Sequence, residues 1–401
     1  MSRPQSSEDR LISFGSNTAR VPERLLLAHS RGEVLFITGA GISMPSGLPD
    51  FRTLTLQIYE KLEGPTHNVL KSVPRNACNA WKAKTAGLDN RQCAEISRFI
   101  QGEYDVVLGM LERRMDGVAV STSKVRNEVF DLLRAGSPRP SSTHKALIRL
   151  ADRGAATTIV TTNFDLLLEK AAHGLGKSID THSLGAMPRP GYRDDFSGVL
   201  HIHGALNKNS NNRSNVIVTD QDFGEFYLRR RVIPDFIYDA ARLFHLVLVG
   251  YSASDAPMRY LLNAVAADGS RFSDLKERFA FVGVDSSDPV AMEDWKGRGI
   301  TPIPYSVADN HASVAQTLIQ WSELSAINGK RDRIDSLLRR VARKPRSATD
   351  DADRDLFDHL VRRSVDTERQ RIAALISQAG ATMEWLDAIT AIGNEPRRER
   401  L

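Results

Sequence analysis

Residues 34–52, which read VLFITGAGISMPSGLPDFR, constrain the fold of this chain more than any other stretch. The apolar, β-type run 34–37 leads into Gly39-Ala40-Gly41. Glycines at the end of a strand let the backbone approach a ligand closely, and a helix start offers free N–H groups to a phosphate. The stretch therefore predicts a strand followed by a ligand-binding turn.

Two common phosphate-binding motifs do not fit this chain. The dinucleotide fingerprint G-x-G-x-x-G fails because Met44 stands at its last glycine. The Walker motif is approached by the Gly-Lys-Ser run at 176–178, but Ala171 replaces its first glycine. Residues 47–52, GLPDFR, are more specific, since they place an acid, an aromatic ring and a cation on one loop.

Strand-type runs alternate with helical patterns along the rest of the chain. Continuous apolar runs such as 245–249 are typical of buried parallel strands. The alternation predicts an α/β fold with a doubly wound parallel sheet. The expected strands are 33–38, 156–162, 198–203, 245–249, 279–284 and 301–305.

The domain organisation follows from where this alternation stops. We expect a flexible arm over residues 1–20 and one large domain over 21–328, with a helical insertion at about 54–135. Residues 329–401 are rich in charge, with apolar residues at helical spacing. This helical C-terminal region either packs on its own domain or forms an interface with another chain.

Composition excludes several classes of protein. The chain has 401 residues, a net charge of +5 and two cysteines, Cys78 and Cys93, too few for a four-thiolate zinc site. No apolar run approaches the length of a membrane-spanning helix, and no secretory leader is recognisable, so we expect a cytoplasmic protein. Arginines are mixed with acids, so direct nucleic-acid binding is not expected.

Three further motifs carry chemistry. Residues 161–165, TTNFD, end a strand and enter a helix, where Asp165 is either a site residue or a helix cap. His201 and His203 precede Gly204; spaced at i, i+2 they could bind a metal, but no further ligand is evident nearby. Residues 249–255, VGYSASD, follow the buried strand at 245–249.

In this order the motifs resemble those of the sirtuin family over roughly residues 32–310. Residues 39–52 are similar to GAGxS followed by GIPDFR, with Leu48 in place of Ile. Residues 161–165 are similar to TQNID, with Thr162 in place of Gln, and His203 precedes glycine like the family's catalytic histidine. Most sirtuins have a small residue at the position of Tyr251. The tyrosine in the sequence Gly250-Tyr251-Ser252 resembles bacterial antiphage sirtuin-like proteins.

The resemblance implies a site for NAD as substrate, and the reaction requires no metal. Most protein-deacylating sirtuins carry a zinc ribbon, but the two cysteines of this chain are too few for one, so no zinc is expected. Asn163 would bind the ribose or the attacking water, and His203 would act as general base. Gly39, Ala40, Gly41 and Ser43 would cradle the diphosphate, whereas Asp50, Phe51 and Arg52 would shape the nicotinamide side. The remaining implied contacts come from Asp165, from Gly250, Tyr251 and Ser252 at ribose and phosphates, and from Asp285 at the adenosine ribose.

The nucleophile decides the function. We expect water, and hence an NAD hydrolase, because the zinc cysteines are missing, the GYS loop is atypical and a large insertion crowds a peptide groove. The alternatives are a protein-lysine deacylase or ADP-ribosyl transferase, and a non-catalytic nucleotide sensor. The resemblance further implies an abortive-infection effector regulated by assembly, either as a homo-oligomer or with a co-encoded partner such as a HerA-like ATPase or an Argonaute-like protein.

Overall fold

The computed structural model describes residues 10–75, 87–116, 123–184, 187–191, 196–206, 216–251, 256–268, 274–285 and 290–395. It divides into two compact units. The larger unit comprises residues 35–148 and 156–278, and the smaller unit comprises residues 1–34, 149–155 and 279–401. The predicted flexible arm falls partly on residues 1–9, which lie outside the described residues.

The strands, in chain order, are β1 Leu11–Ile12, β2 Val21–Pro22, β3 Val34–Thr38, β4 Thr158–Thr161, β5 Asp180–His182, β6 Gly198–His201, β7 His245–Val249, β8 Arg278–Val284 and β9 Thr301–Ser306. The helices are α1 Glu23–Ser30, α2 Phe51–Leu62, α3 Gly64–Leu70, α4 Asn90–Ile100, α5 Tyr104–Asp116, α6 Lys124–Arg134, α7 Ser142–Ala151, α8 Leu167–His173, α9 Asp220–Phe223, α10 Val232–Leu243, α11 Ala256–Asp268, α12 Val290–Gly297, α13 Ala312–Leu324, α14 Arg331–Ala342, α15 Asp351–Arg362, α16 Asp366–Gln378 and α17 Met383–Gly393.

In the larger unit the strands follow the order β5-β6-β4-β3-β7. The β3/β4, β4/β6 and β5/β6 pairs are parallel. Every residue of β3 and β4 is buried, as expected for strands covered on both faces. The predicted α/β class with a parallel sheet is therefore confirmed.

The register of this sheet determines where a ligand site can form. Thr38 of β3 pairs with Thr161 of β4, which in turn pairs with His201 of β6. These three strands consequently end at one level. β4 and β7 flank β3 on opposite sides, which makes the carboxyl end of β3 a topological switch point, where α/β sheets bind ligands.

The connection from β3 to β4 contains the predicted helical insertion. Helices α2 to α6 pack on an apolar core that they share with Leu167, Leu206, Val216 and Val218 outside the insertion. The insertion contributes Leu54, Ile58, Tyr59, Ile96, Phe99, Val107, Leu108, Leu111, Val125, Val129 and Phe130 among others. An Asp89–Gln92 capping box starts α4. Residues 76–86 and 117–122 of this segment lie outside the described residues.

In the smaller unit β8 and β9 pair in parallel, and the C-terminal region is helical as predicted. The apolar stripes of α14 to α17 pack against one another around Phe357 and Trp385. Glu23 of α1 accepts from Arg362 at 2.6 Å and lies 3.2 Å from Nδ1 of His359, so α15 is tied to the start of the chain. A role of this region as an interface stays a prediction.

Within the described residues, no helix combines the length and the apolar character that crossing a lipid bilayer requires.

Candidate functional site

The turn after β3 closes against the end of β7. Gly39 donates its N–H to the carbonyl of Val249 at 3.0 Å, and Gly41 donates to that of Gly250 at 2.9 Å. A Cβ atom on Gly39 would lie 2.6 Å from the carbonyl oxygen of Gly250, and one on Gly41 would lie 2.9 Å from its Cα. Both glycines are therefore required by the close approach of two backbones.

This packing corrects one sequence-based expectation, that of free N–H groups at the turn. Besides the two glycine amides, Ile42 donates to the carbonyl of Gly39 at 3.2 Å and Ser43 to that of Ala40 at 2.9 Å. Residues 40–42 form a 3₁₀ turn instead of the start of an α-helix. Diphosphate binding by Gly39, Ala40, Gly41 and Ser43 stays a prediction. Free N–H groups of Gly39, Gly41 and Ser43 no longer support it, because these amides already donate within the protein.

Asn163, two residues after β4, reaches across to this turn. Its Nδ2 donates to the carbonyl of Gly39 at 3.2 Å and to Oγ of Ser43 at 3.0 Å. A carbonyl only accepts, so the amide group must face it with nitrogen and its orientation is determined. Both N–H bonds are then used, and Oδ1 is the atom left to accept from a ligand.

His201 holds the backbone of the same residue. Its Nδ1 donates to the carbonyl of Asn163 at 2.7 Å, and its Nε2 lies 2.8 Å from Oε1 of Glu169. Burial alone lowers the pKa of His201, but the charge and hydrogen bond of Glu169 and the Asn163 carbonyl raise it above the ordinary 6.5. A buried histidine–carboxylate pair thus joins β6, α8 and the segment that carries Asn163.

His203 lies just beyond β6 in a different environment. Its Nε2 is 2.8 Å from the hydroxyl of Tyr227, and its ring meets Phe223 edge-on at 5.4 Å between centroids. Burial lowers the pKa of His203 to about 3, so the ring is neutral at physiological pH and able to take a proton. His201 and His203 have separate partners, and no metal-binding group of three or more His, Cys, Asp or Glu occurs in the described part of the chain.

Tyr227 is a site residue that the sequence analysis did not identify. It lies in a π-helical turn, Gly224–Arg229, directly after α9. Such turns are frequent at functional sites, but they have no sequence pattern of their own. The hydroxyl of Tyr227 is positioned to orient the His203 ring.

Asp165 lies beside this group. Its Oδ1 accepts from the N–H of Leu167, the first residue of α8, at 3.0 Å. The N-cap position of α8 is Leu166, so Asp165 lies one residue before the cap that the helix-cap alternative predicted. Burial raises the pKa of Asp165, and Ser43 of the turn after β3 opposes that rise.

Comparison with known proteins identifies a family model that matches part of the chain. Residues 157–303 match the family model of the SIR2-like domain. This stretch of the chain is therefore similar to a SIR2-like domain. The match includes Asn163 and His203, and the resemblance to sirtuins inferred from the motifs is confirmed.

Further similarities extend over more of the chain. The uncharacterized protein y4cA of Sinorhizobium fredii is 29% identical over 367 residues, which cover 86% of this chain and 28% of that protein. The chain thus spans little more than a quarter of that relative. A structure from a study of the mechanism and regulation of Sir2 enzymes is 14% identical, with a TM-score of 0.37 over 78% of this chain and 98% of the other. A Sir2 homologue in complex with NAD is 17% identical, with a TM-score of 0.33 over 77% and 96%.

Ahead of the matched range, Asp50 makes contacts on the helical insertion. Asp50 accepts from the N–H of Thr53 at 2.7 Å as the N-cap of α2, and pairs with Arg75 at 2.7 Å. Burial alone raises its pKa, but the hydrogen bonds from Thr53 and Arg75 hold it below the ordinary 3.8.

Phe51 and Arg52 likewise contact the insertion. The Phe51 ring meets Tyr104 edge-on at 6.2 Å, and the Arg52 guanidinium lies 5.1 Å from the Phe99 ring centroid. The contacts of Asp50, Phe51 and Arg52 therefore join the end of the GLPDFR motif to the helical insertion. Their role at the nicotinamide stays a prediction.

The remaining predicted residues lie on the loops after β7 and β8. Gly250 has φ +62°, and a Cβ there would lie 2.7 Å from the backbone nitrogen of Ile42. Tyr251 follows it, half-buried, whereas Ser252 lies outside the described residues. Asp285 is exposed after β8 in the smaller unit. The larger unit therefore brings together the turn after β3, Asn163, Asp165 and Gly250, with His203 at the end of the neighbouring strand.

Proposed function

We propose that this protein is an NAD glycohydrolase, which converts NAD and water to nicotinamide and ADP-ribose. One observation carries the proposal: Asn163 presents a fixed Oδ1 acceptor at the switch point, and the neutral His203 lies at the end of the adjacent strand. The SIR2-like match supports NAD as the substrate.

The reaction requires the protein mainly to position the nicotinamide ribose and the attacking water. The C1′–N bond of the nicotinamide riboside breaks, and its electron pair goes to the pyridinium nitrogen, which leaves as neutral nicotinamide. The ribose passes through an oxocarbenium-like state, and a water oxygen bonds to C1′ while its proton goes to a base. Positioning and charge stabilisation supply most of such a rate enhancement.

The two residues divide these tasks. Oδ1 of Asn163 accepts a hydrogen bond from the attacking water or from a ribose hydroxyl, and thereby orients it. His203 takes the proton. A base of low pKa suffices here, because water that has begun to bond to a cationic carbon is far more acidic than free water.

A deacylase shares the first step but uses an acyl-lysine oxygen as nucleophile, and a sensor binds NAD without cleaving it. Water is favoured because the chain has two cysteines, too few for a zinc ribbon, and because helix α2 begins at Phe51 within the GLPDFR motif and is followed by α3 to α6 in the described part of the insertion. The sensor is disfavoured because binding alone needs neither Asn163 nor His203.

An enzyme that consumes NAD requires control, so we propose that assembly regulates it in an antiphage role. The insertion and the C-terminal helices are the candidate contacts, with further copies of the chain or a co-encoded partner such as a HerA-like ATPase on the other side. The motif resemblance alone supports this step. Light scattering run beside the activity assay tests it, and a fully active monomer would contradict it.

The function is tested by His203→Ala, with His173→Ala as the matched control. His173 is exposed at the end of α8, outside the site. We expect nicotinamide release from NAD to fall about 10²–10⁴-fold in His203→Ala, because the general base is gone, and to stay unchanged in His173→Ala. Release by His203→Ala at the wild-type rate would refute the assigned role.

A further inference from the structure

Another buried histidine, besides His201 and His203, lies next to Ser43. His144 lies in the first turn of α7 and is 0% exposed. Its Nε2 is 3.3 Å from Oγ of Ser43, which itself accepts from Nδ2 of Asn163 at 3.0 Å. Two hydrogen bonds through Ser43 therefore link the imidazole to Asn163, the residue that orients the nucleophile.

The direction of each hydrogen bond in this group can be assigned. The backbone N–H of Ser141 donates to Nδ1 of His144 at 3.2 Å, and the Ser141 hydroxyl lies 2.8 Å from the same nitrogen; since a backbone N–H can only donate, Nδ1 carries a lone pair. Burial lowers the pKa of His144 to about 4, and a neutral ring with a bare Nδ1 must carry its proton on Nε2. His144 consequently donates from Nε2 to Oγ of Ser43.

Ser43 connects this proton donor to the site. Its oxygen accepts from both His144 and Asn163, which leaves its own O–H to donate elsewhere, with the Asp165 carboxylate nearby. If the Ser43 hydroxyl rotated toward another acceptor, the side-chain amide of Asn163 would lose one of its two hydrogen-bond partners. The orientation of Oδ1 thus depends on the donor at Nε2 of His144.

We propose that His144 is a positioning residue of the hydrolase, which fixes the Asn163 side-chain amide through Ser43. Its effect on turnover rests on the function proposed above. Its effect on Asn163 does not.

Two substitutions separate positioning from simple packing. In His144→Gln the amide nitrogen replaces Nε2 and keeps the donor to Ser43. In His144→Asn the shorter side chain keeps an acceptor near Ser141 but cannot reach Ser43. Both variants remove the imidazole from the same buried space, so packing alone predicts equal effects.

Steady-state kinetics of NAD hydrolysis by the full chain gives the first readout. One lost hydrogen bond of about 1 kcal/mol corresponds to about fivefold, so we expect kcat of His144→Asn to fall about 5–10-fold with little change in KM. We expect His144→Gln to stay within about twofold of wild type, since its donor is kept. Equal loss in both variants, or loss in neither, would overturn the proposal.

The second readout needs no activity. With asparagine-selective ¹⁵N labelling, the side-chain amide signals of Asn163 are assigned by their absence in Asn163→Ala. They should shift and exchange faster with solvent in His144→Asn but not in His144→Gln. Unchanged Asn163 signals in His144→Asn refute the positioning role. If the signals change as expected but the wild-type protein does not cleave NAD, only the hydrolase function is refuted.

Discussion

Asn163→Asp is expected to lower the rate of NAD hydrolysis about 10²–10³-fold, although it replaces only an amide by a carboxylate. The amide nitrogen faces two oxygens, the carbonyl of Gly39 at 3.2 Å and Oγ of Ser43 at 3.0 Å. A carboxylate oxygen there has nothing to donate to Gly39 and is repelled by it. The side chain must rotate or take up a proton, and either change misplaces the acceptor that orients the water.

The measurement is kcat for nicotinamide release, with Asn90→Asp as a control. Asn90 is exposed at the start of α4, so the same change of atoms there should leave kcat unaltered. Wild-type turnover by Asn163→Asp would show that any oxygen at this position suffices. The two hydrogen bonds that orient the Asn163 amide would then not contribute to catalysis.

Arg126→Ala is expected to have the largest effect on stability, a loss of about 3–5 kcal/mol in the free energy of unfolding. Arg126 is 2% exposed and donates to Glu112 at 3.0 Å, to the carbonyl of Val216 at 2.9 Å and to both oxygens of Asp222. Removing the guanidinium leaves two carboxylates without their shared cation in a poorly solvated place. The contact also ties α6 of the insertion to the segment between His203 and Tyr227.

Arg113→Ala is the matched control, since Arg113 pairs with Asp220 of the same short helix at 3.0 Å but is exposed. Exposed pairs contribute about 0–1 kcal/mol, so a small loss is expected there. Urea unfolding followed by circular dichroism measures both variants. Equal losses in the two would contradict a structural role for the buried cation.

Much of the fold follows from local sequence. The run 245–249 is β7 to the residue, and the helical spacing of 54–135 and 330–401 is that of α2–α6 and α14–α17. Apolar periodicity reports burial directly, and these elements are long and periodic. The strand β5 escaped prediction because it is three residues long, polar and half exposed.

The site was predictable only where residues near one another in sequence form a motif. Asn163 and His203 each stand in such a motif, whereas the supporting contacts join residues far apart in the chain. Ser43 and His144 are 101 residues apart, and Asn163 and Gly39 are 124 apart. The sequence analysis explained Gly39 and Gly41 by the approach of a ligand alone. The structure adds a second reason, which the sequence does not show: the backbone at the end of β7 packs directly against both glycines.

The most direct test of the account is the set of products that purified wild-type protein forms from NAD with no peptide present, measured by mass spectrometry and again with an acetyl-lysine peptide added. An NAD glycohydrolase forms equal amounts of nicotinamide and ADP-ribose without the peptide, and it forms the same products when the peptide is present. Nicotinamide that appears only when the peptide is present, together with an acylated ADP-ribose product, would contradict it and identify a deacylase.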